Sequence, residues 1–185
     1  MKNLENWITR SSKQVFDGKP WVTVSTETVE LPDGRIVDEF YRLKMPDFVC
    51  IYPVTQDGNV LTLTQYKHGP RRVSVMFPGG YLEEGEDAIE AGARELLEET
   101  GYEAEDIEYL GGYTNSANFE CGTAHFVRAF GCRKIAEPNS GDLEEMEIST
   151  VSTEALWQHA RSGNFVIVDQ IAMLAMCTHP QLSKL

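Results

Sequence analysis

The chain of 185 residues is acidic, with 29 Asp and Glu against 16 Lys and Arg and a formal net charge of −13. This charge argues against non-specific binding to nucleic acid or to an anionic membrane. The length suits one domain with an appendage. Four cysteines without a C-x-x-C pair, an N-terminus without a signal-peptide core and no apolar run of about 18 residues lead us to expect a soluble cytoplasmic protein.

Residues 1–46 are expected to form a small antiparallel β hairpin. Residues 21–31 are rich in β-branched side chains, Pro32-Asp33-Gly34 has turn chemistry, and 35–43 can return as the partner strand. Such a hairpin is marginally stable alone, so it must dock on its own core domain or on a second subunit. The predicted core domain then spans 47–185.

The core domain reads as a series of strands interrupted by one acidic stretch and followed by two amphipathic helices. A mixed sheet with helices on both faces fits this order. The predicted strands are 48–54, 60–66, 73–77, 107–113, 123–130 and 147–151, and the predicted terminal helices are 153–161 and 169–177.

The acidic stretch runs from Glu83 to Glu99 and contains eight acidic side chains and one basic one, Arg94. Asp87 with Glu90 forms a capping-box pattern, and Gly101 suits a helix C-terminus, so we predict a helix over 87–100. It is entered by the loop Pro78-Gly79-Gly80. Apolar spacing predicts a buried stripe made of Ile89, Ala93, Leu96, Leu97 and Thr100.

On this helix Glu95, Glu98 and Glu99 lie at i, i+3 and i+4, so their carboxylates share one face. They could form a solvated acidic surface. Their mutual repulsion is better relieved by a hard divalent cation, and ligands that are all oxygen favour Mg²⁺ or Mn²⁺. Arg94 can hold one carboxylate bidentately, and a backbone carbonyl at Gly79 can add a ligand.

The run from Gly80 through Glu86 to Arg94-Glu95-Leu96-Leu97-Glu98-Glu99-Thr100-Gly101-Tyr102 resembles the Nudix box, G-x5-E-x7-R-E-U-x-E-E-x-G-U, where U is apolar. Every fixed position matches, with Tyr102 where an aliphatic residue is more usual. The resemblance implies an α/β/α sandwich with a mixed sheet, here preceded by the hairpin. It also implies metal-assisted hydrolysis of a diphosphate joined to a nucleoside. The implied metal ligands are Glu95, Glu98, Glu99 and the Gly79 carbonyl, and Arg94 and Glu86 would shape the platform.

The flanks resemble the ADP-ribose and nucleoside-diphosphate-sugar branch of this family. That branch implies a loop glutamate that acts on the attacking water, here Glu144 or Glu145, although both could lie in a solvated turn. It also implies a homodimer through the N-terminal strands, with adenine stacked between aromatic side chains, for which Trp21 and Tyr41 are available.

The most basic stretch precedes the box, and its Lys67 and Arg71 could contact phosphate oxygens or belong to an ordinary surface loop. Two features of the ADP-ribose subgroup are missing: residues 113–120 lack its proline, and Met76-Phe77-Pro78 replaces its glutamate. The identities of the substrate's nucleobase and sugar therefore stay open. Nucleoside triphosphates or dinucleoside polyphosphates are alternative substrates, and a non-catalytic ADP-ribose sensor is an alternative from another functional class.

Overall fold

The computed structural model of the chain describes residues 4–141 and 145–182. The chain divides into two compact units. The first extends to Asp47 and also includes Tyr113–Thr123, and the second comprises Phe48–Gly112 and the chain from Ala124 onward. The return of Tyr113–Thr123 to the first unit is not expected from sequence order. The domain limits 1–46 and 47–185 stay a prediction.

The first unit is built on an antiparallel β meander. Within the described residues its strands are β1 (Ile8–Gly18), β2 (Val22–Glu30) and β3 (Ile36–Lys44), and β2 pairs with both others. Gly34 adopts a φ of +82° in the turn between β2 and β3, a conformation that glycine takes without steric cost. The antiparallel hairpin predicted from the sequence is confirmed.

Strand β1 is the part of this unit that the sequence does not predict. All of its residues except Gly18 are exposed, so no alternation of apolar and polar side chains marks it. It forms because its backbone groups pair with those of β2, with register shifts between Thr9 and Ser11 and between Gln14 and Phe16. Backbone pairing of this kind leaves no pattern in the side chains.

The second unit contains a mixed sheet. Its strands in chain order are β4 (Phe48–Thr55), β5 (Val60–Lys67), β6 (Arg72–Met76), β7 (Tyr102–Glu103), β8 (Asp106–Ser116), β9 (Glu120–Lys134) and β10 (Met146–Val151). Only the parts of β8 and β9 that lie outside the first unit belong to it. Strand β4 pairs in parallel with β9, whereas β5 pairs antiparallel with both β6 and β10.

The helices of the second unit are α1 (Ala88–Thr100), α2 (Thr153–Arg161) and α3 (Val168–Thr178). All of them agree with the sequence-based prediction to within one residue at each end. In the parts of the chain that the structure describes, no helix is long and apolar enough to cross a membrane.

Strand β4 joins two hydrophobic cores because successive residues of a strand point to opposite faces of the sheet. Val49 and Ile51 are buried in a core with residues of α1. Cys50 and Tyr52 are buried in a second core with residues of α2 and α3. Helices therefore cover both faces of the sheet, and the predicted α/β/α sandwich is confirmed.

Helix α1 has the caps that its sequence predicts. The Asp87 carboxylate accepts hydrogen bonds from the N–H groups of Ile89 and Glu90, and the Glu90 carboxylate accepts one from the N–H of Asp87. This reciprocal arrangement is a capping box. At the other end Gly101 has a φ of +75°, and its N–H donates to the Leu97 carbonyl.

The buried face of α1 differs from the predicted stripe. Ile89 and Leu97 are 41% and 38% exposed, and Ala93 is exposed as well. The helix lies so close to the sheet that a Cβ on Gly92 would lie 2.9 Å from a methyl group of Val127. Close approach favours the side of the helix with small residues, so the larger apolar ones are left outside. The residues buried are Ala88, Ala91, Gly92, Leu96, Glu99 and Thr100.

Candidate active site

The glycine loop after β6, Pro78-Gly79-Gly80, is held along the edge of β4. The N–H of Val49 donates to the Gly80 carbonyl and the N–H of Ile51 donates to the Pro78 carbonyl, each at 2.9 Å. Because alternate residues in an antiparallel pairing turn their backbone groups to opposite sides, those of Gly79 face away from β4. The N–H of Gly79 donates to a carboxylate oxygen of Glu99 at 2.7 Å.

Both glycines of this loop stand where a side chain would collide with the site. Gly79 has a φ of +154°, and a Cβ there would lie 2.1 Å from the carbonyl oxygen of Val49. A Cβ on Gly80 would lie 2.3 Å from a carboxylate oxygen of Glu95. The loop backbone thus lies directly against the carboxylate of Glu95, which only glycine permits.

Arg94 links the carboxylates of the box. Its Nε and Nη2 atoms donate to the two carboxylate oxygens of Glu86 at 2.8 and 2.9 Å, a bidentate pair. Its Nη1 atom donates to Glu95 at 2.8 Å and to Glu98 at 3.2 Å. Its Nη2 atom also reaches the Tyr81 carbonyl at 3.0 Å. One guanidinium therefore holds three carboxylates and the loop that follows the glycines.

This pairing also sets the charge states at the site. Hydrogen bonds from Arg94 hold the pKa of Glu86 below its ordinary value of 4.5. The same hydrogen bonds, together with those to Glu95, raise the pKa of Arg94 above its usual range. Glu86 and Arg94 are therefore both ionised at neutral pH.

The three carboxylates of α1 lie at different depths. Glu99 is only 4% exposed, whereas the side chains of Glu95 and Glu98 are 13% and 43% exposed. A buried carboxylate needs strong partners, and the Gly79 N–H is one for Glu99. Across residues 4–141 and 145–182, no group of three or more His, Cys, Asp or Glu side chains is gathered closely enough to hold a metal ion. The ligand set Gly79, Glu95, Glu98 and Glu99 stays a prediction.

The predicted phosphate-binding cations lie at the hairpin between β5 and β6. Lys67 is the last residue of β5, and Arg71 lies in the turn with a φ of +53°. From this turn β6 runs about 16 Å, at roughly 3.3 Å per residue, before the glycine loop begins. Lys67 and Arg71 thus lie at the opposite end of β6 from the glycine loop, and their contact with phosphate stays a prediction.

The two candidate base residues precede β10. Glu145 is exposed and directly precedes Met146, which pairs with Gln65 of β5. Glu145 therefore lies beside the end of β5 that leads to Lys67. Glu144 lies outside the described residues. The choice between the two glutamates stays open.

The predicted base-stacking aromatics belong to the first unit. Trp21 is 60% exposed in the turn after β1, and Tyr41 is 45% exposed on β3. Aromatic rings of this kind can stack on a nucleobase, and this role stays a prediction.

Some contributors to the site are not predicted from the sequence. The Tyr81 carbonyl binds Arg94, and the N–H of Glu83 donates to Glu86 at 2.9 Å. These are backbone groups, which no side-chain motif reports. Gln170 accepts a hydrogen bond from the N–H of Phe77 at 2.7 Å. A single glutamine in a helix gives no signal in the sequence.

Family comparisons agree with the fold and the box. Residues 44–167 match the NUDIX domain family, and residues 7–43 match the nucleoside diphosphate sugar hydrolase N-terminal domain. A crystal structure of an ADP compounds hydrolase superposes on the chain with a TM-score of 0.82 at 19% sequence identity, covering 94% of this chain and 93% of that one. That likeness shows a shared fold.

Two relatives extend the match over most of the chain. The ADP-ribose pyrophosphatase of Bacillus subtilis (strain 168) is 32% identical over 155 residues, which are 83% of this chain and 82% of the relative. The methanol dehydrogenase activator of Bacillus methanolicus is 32% identical over 139 residues, which are 75% of this chain and 73% of the relative. With its complete box and these matches, the chain belongs to the NUDIX domain family and is a pyrophosphohydrolase.

Proposed function

We propose that this Nudix pyrophosphohydrolase cleaves the diphosphate of a nucleoside diphosphate joined to a sugar and releases a nucleoside monophosphate and a sugar phosphate. The observation that carries the proposal is the pairing of two domains. A match to the nucleoside diphosphate sugar hydrolase N-terminal domain at 7–43 directly precedes the NUDIX domain at 44–167. A relative that matches 83% of the chain is an ADP-ribose pyrophosphatase.

The proposed cofactor is Mg²⁺, with Mn²⁺ as a substitute, held by Glu95, Glu98, Glu99 and the carbonyl of Gly79. These ligands fit a hard divalent cation because all of them are oxygens. Gly80 has no Cβ, and a Cβ there would lie 2.3 Å from a carboxylate oxygen of Glu95. The glycine therefore leaves the space beside this carboxylate free of side-chain atoms. When bound, such a cation stabilises charge on the diphosphate and lowers the pKa of water.

The chain's own groups position these ligands. Arg94 orients Glu95 and Glu98 through one nitrogen, and its bidentate pair with Glu86 fixes the guanidinium itself. The N–H of Gly79 orients Glu99. Preorganised groups of this kind lower the barrier because they need not rearrange as charge develops on the substrate.

Residues outside the box complete the proposed reaction. Glu145 or Glu144 takes a proton from the attacking water as a general base. Lys67 and Arg71 bind phosphate oxygens, with the planar guanidinium suited to bidentate contact. Glu145 is exposed beside the end of β5 that carries Lys67.

The proposed assembly is a homodimer through the first unit, in a reducing compartment such as the cytoplasm. Exposed apolar side chains are concentrated on this unit, a feature typical of interaction surfaces. They are Leu4, Trp7, Ile8, Val15, Phe16, Trp21, Ile36, Val37, Tyr41, Tyr113 and Phe119. Trp21 and Tyr41 are the proposed stacking residues for the base. All four cysteines are free thiols, which is the usual state in the cytoplasm.

A product assay tests the proposal. Purified protein is incubated with Mg²⁺ and, separately, with ADP-ribose, ADP-glucose, GDP-mannose, a diadenosine polyphosphate and a deoxynucleoside triphosphate, and the products are identified. Release of AMP or GMP together with a sugar phosphate is the expected result. Release of pyrophosphate from the triphosphate alone would overturn the proposal in favour of a triphosphatase. Tight binding of ADP-ribose without cleavage would favour a sensor.

A further inference from the structure

Helix α3 places one polar side chain in the core behind the glycine loop. Gln170 is 4% exposed, and its Oε1 atom accepts a hydrogen bond from the N–H of Phe77 at 2.7 Å. Its Nε2 atom donates to the carboxylate of Asp169 at 3.2 Å and to the Sγ atom of Cys50 at 3.4 Å. The carboxamide of Gln170 therefore connects α3 with β4 and with the segment that enters the glycine loop.

Phe77 needs an acceptor at this point of the chain. Met76 is the last residue of β6 that pairs with β5, so Phe77 lies just beyond that ladder. Phe77 is also only 1% exposed, which keeps water from its N–H. A buried N–H without a partner is costly, and the side-chain oxygen of Gln170 supplies the partner.

A short stretch of backbone links the hydrogen bond at Phe77 to the one that Glu99 accepts. Two residues further along, the N–H of Gly79 donates to the Glu99 carboxylate at 2.7 Å. The intervening Pro78 has its φ fixed by its ring, and its carbonyl accepts from the N–H of Ile51. The short backbone between the two hydrogen bonds has little freedom, so a shift at Phe77 moves the N–H that orients Glu99.

We propose that Gln170 is a positioning residue of the active site, which holds the Phe77 N–H and thereby sets the Gly79 N–H against Glu99. The inference rests on the proposed function because it takes Gly79 and Glu99 as parts of the active site. Asp169 determines whether the oxygen or the nitrogen of the Gln170 carboxamide faces Phe77. An ionised carboxylate only accepts hydrogen bonds, so it attracts Nε2 and leaves Oε1 for Phe77.

The first test replaces Gln170 with Met, which keeps the length of the side chain and removes the oxygen. Loss of a group that orients a metal ligand costs about 10- to 100-fold in activity or metal affinity. We expect Gln170→Met to lower kcat by about tenfold or more while KM changes by less than about threefold. In the substrate-free protein, titration with Mn²⁺ should give a Kd raised by about tenfold.

Three further variants separate positioning from packing. The double variant Asp169→Asn, Gln170→Glu exchanges the donor and the acceptor of this pair while keeping an oxygen for the Phe77 N–H, so it should hold kcat within about threefold of wild type. Gln170→Asn withdraws the carboxamide by one methylene, so it should show the losses of Gln170→Met. Met173→Leu, a volume-conserving change at a fully buried position of the same helix, should leave kcat and the Mn²⁺ affinity unchanged.

A readout without metal or substrate completes the test. Amide hydrogen exchange in the metal-free Gln170→Met protein should be faster at Phe77 and Gly79 by about tenfold, with no change at Leu96 in the middle of α1. Uniformly faster exchange at all three amides would mean general destabilisation and would overturn the positioning role.

The outcomes distinguish this inference from the proposed function. A wild-type protein that cleaves none of the substrates refutes the proposed function. If Gln170→Met then still weakens Mn²⁺ binding and speeds exchange at Phe77 and Gly79, the positioning role stands. An active wild type combined with Gln170→Met and Gln170→Asn variants that match it in kcat, Mn²⁺ affinity and exchange overturns the positioning role alone.

Discussion

At the scale of single residues, the guanidinium of Arg94 explains how so many carboxylates share a small volume. Like charges at helical spacing repel, yet Glu95 and Glu98 both accept hydrogen bonds from the same nitrogen of Arg94. Glu86 contributes differently, because its two oxygens bind Arg94 and also accept from the N–H of Glu83. Glu86 therefore orients the arginine, whereas Glu95, Glu98 and Glu99 are the carboxylates proposed as cation ligands.

The first prediction at the residue scale concerns the negative charge of Glu99. Glu99→Gln keeps an oxygen that can accept from the Gly79 N–H, so the fold should be retained while the negative charge is lost. We expect turnover at saturating Mg²⁺ to fall at least ~100-fold, the scale for loss of a group that stabilises charge. Glu154→Gln, at an exposed position of α2, is the matched control. Turnover near wild type in Glu99→Gln would remove Glu99 from the proposed ligand set.

The pair of Glu86 with Arg94 predicts a dependence of stability on pH. The pKa of Glu86 in the folded chain lies below its ordinary value of 4.5. Its contribution to the free energy of unfolding is therefore present above about pH 4.5 and is lost as pH falls through the lower folded pKa. In urea unfolding, the wild type should exceed Glu86→Gln in stability near neutral pH, and the difference should shrink in acid. Glu84→Gln, at a neighbouring exposed position, should show no such change; a difference independent of pH would contradict the assignment.

At the scale of elements, α1 is attached to the rest of the second unit by its buried face and by its C-terminal end. The capping box at Asp87 fixes where the helix begins after the acidic loop. At the other end, the Gly101 carbonyl accepts hydrogen bonds from the N–H groups of Ile135 and Ala136, so the segment after β9 contacts the helix terminus. The last turn of the helix, which carries Glu98 and Glu99, is thus tied to the segment after β9.

Gly101 provides the element-scale prediction. It has a φ of +75°, and a Cβ would lie 2.1 Å from the carbonyl oxygen of Ala136. Gly58 has a φ of +81° with nothing within 4 Å of its Cβ position. Gly58→Ala should therefore cost only the left-handed strain, about 1 kcal/mol, whereas Gly101→Ala should lower the free energy of unfolding by about 3 kcal/mol or more. Denaturant unfolding measures both losses. If the two variants lose equal unfolding free energy, the segment after β9 moves to make room for the added methyl group, which would contradict the prediction.

At the scale of the whole molecule, the two units carry different parts of the proposed function. The second unit holds the complete box, whereas the first exposes many apolar and aromatic side chains on antiparallel strands. A chain with a net charge of −13 also repels an anionic substrate, so cations at the site must supply the local attraction. Divalent metal dependence and assembly through the first unit are the proposals that belong to this scale.

The assembly gives the whole-molecule prediction. Ile8 and Val15 of β1 are 51% and 50% exposed, and the double variant Ile8→Glu, Val15→Glu would place two charges in the proposed interface. Light scattering after size exclusion should give the mass of two chains for the wild type and of one chain for the variant. Val168→Glu changes an exposed apolar residue of α3 in the second unit and should leave the dimer intact. A monomeric wild type at micromolar concentration would refute the dimer.

The sequence by itself determined the features that depend on neighbours along the chain. Helix α1, its capping box and Gly101 follow from residues within one or two turns of each other, and so does the spacing of Glu95, Glu98 and Glu99. Apolar and β-branched runs were enough to predict the hairpin of β2 and β3 and six strands of the core, but neither β1 nor the short strand β7. The family resemblance rests on this local spacing, which is why the box could be recognised before any fold was known.

Only the tertiary structure decided which groups meet across long distances in the chain. Gln170 meets Phe77 across 93 residues, and β4 pairs in parallel with β9, with Phe48 opposite Ala124. The helix face that lies on the sheet was decided by the close approach at Gly92, which outweighed the apolar stripe. Hydrogen bonding and close packing depend on positions in space, so local sequence periodicity could predict the helix and its carboxylates but not the contacts that orient them.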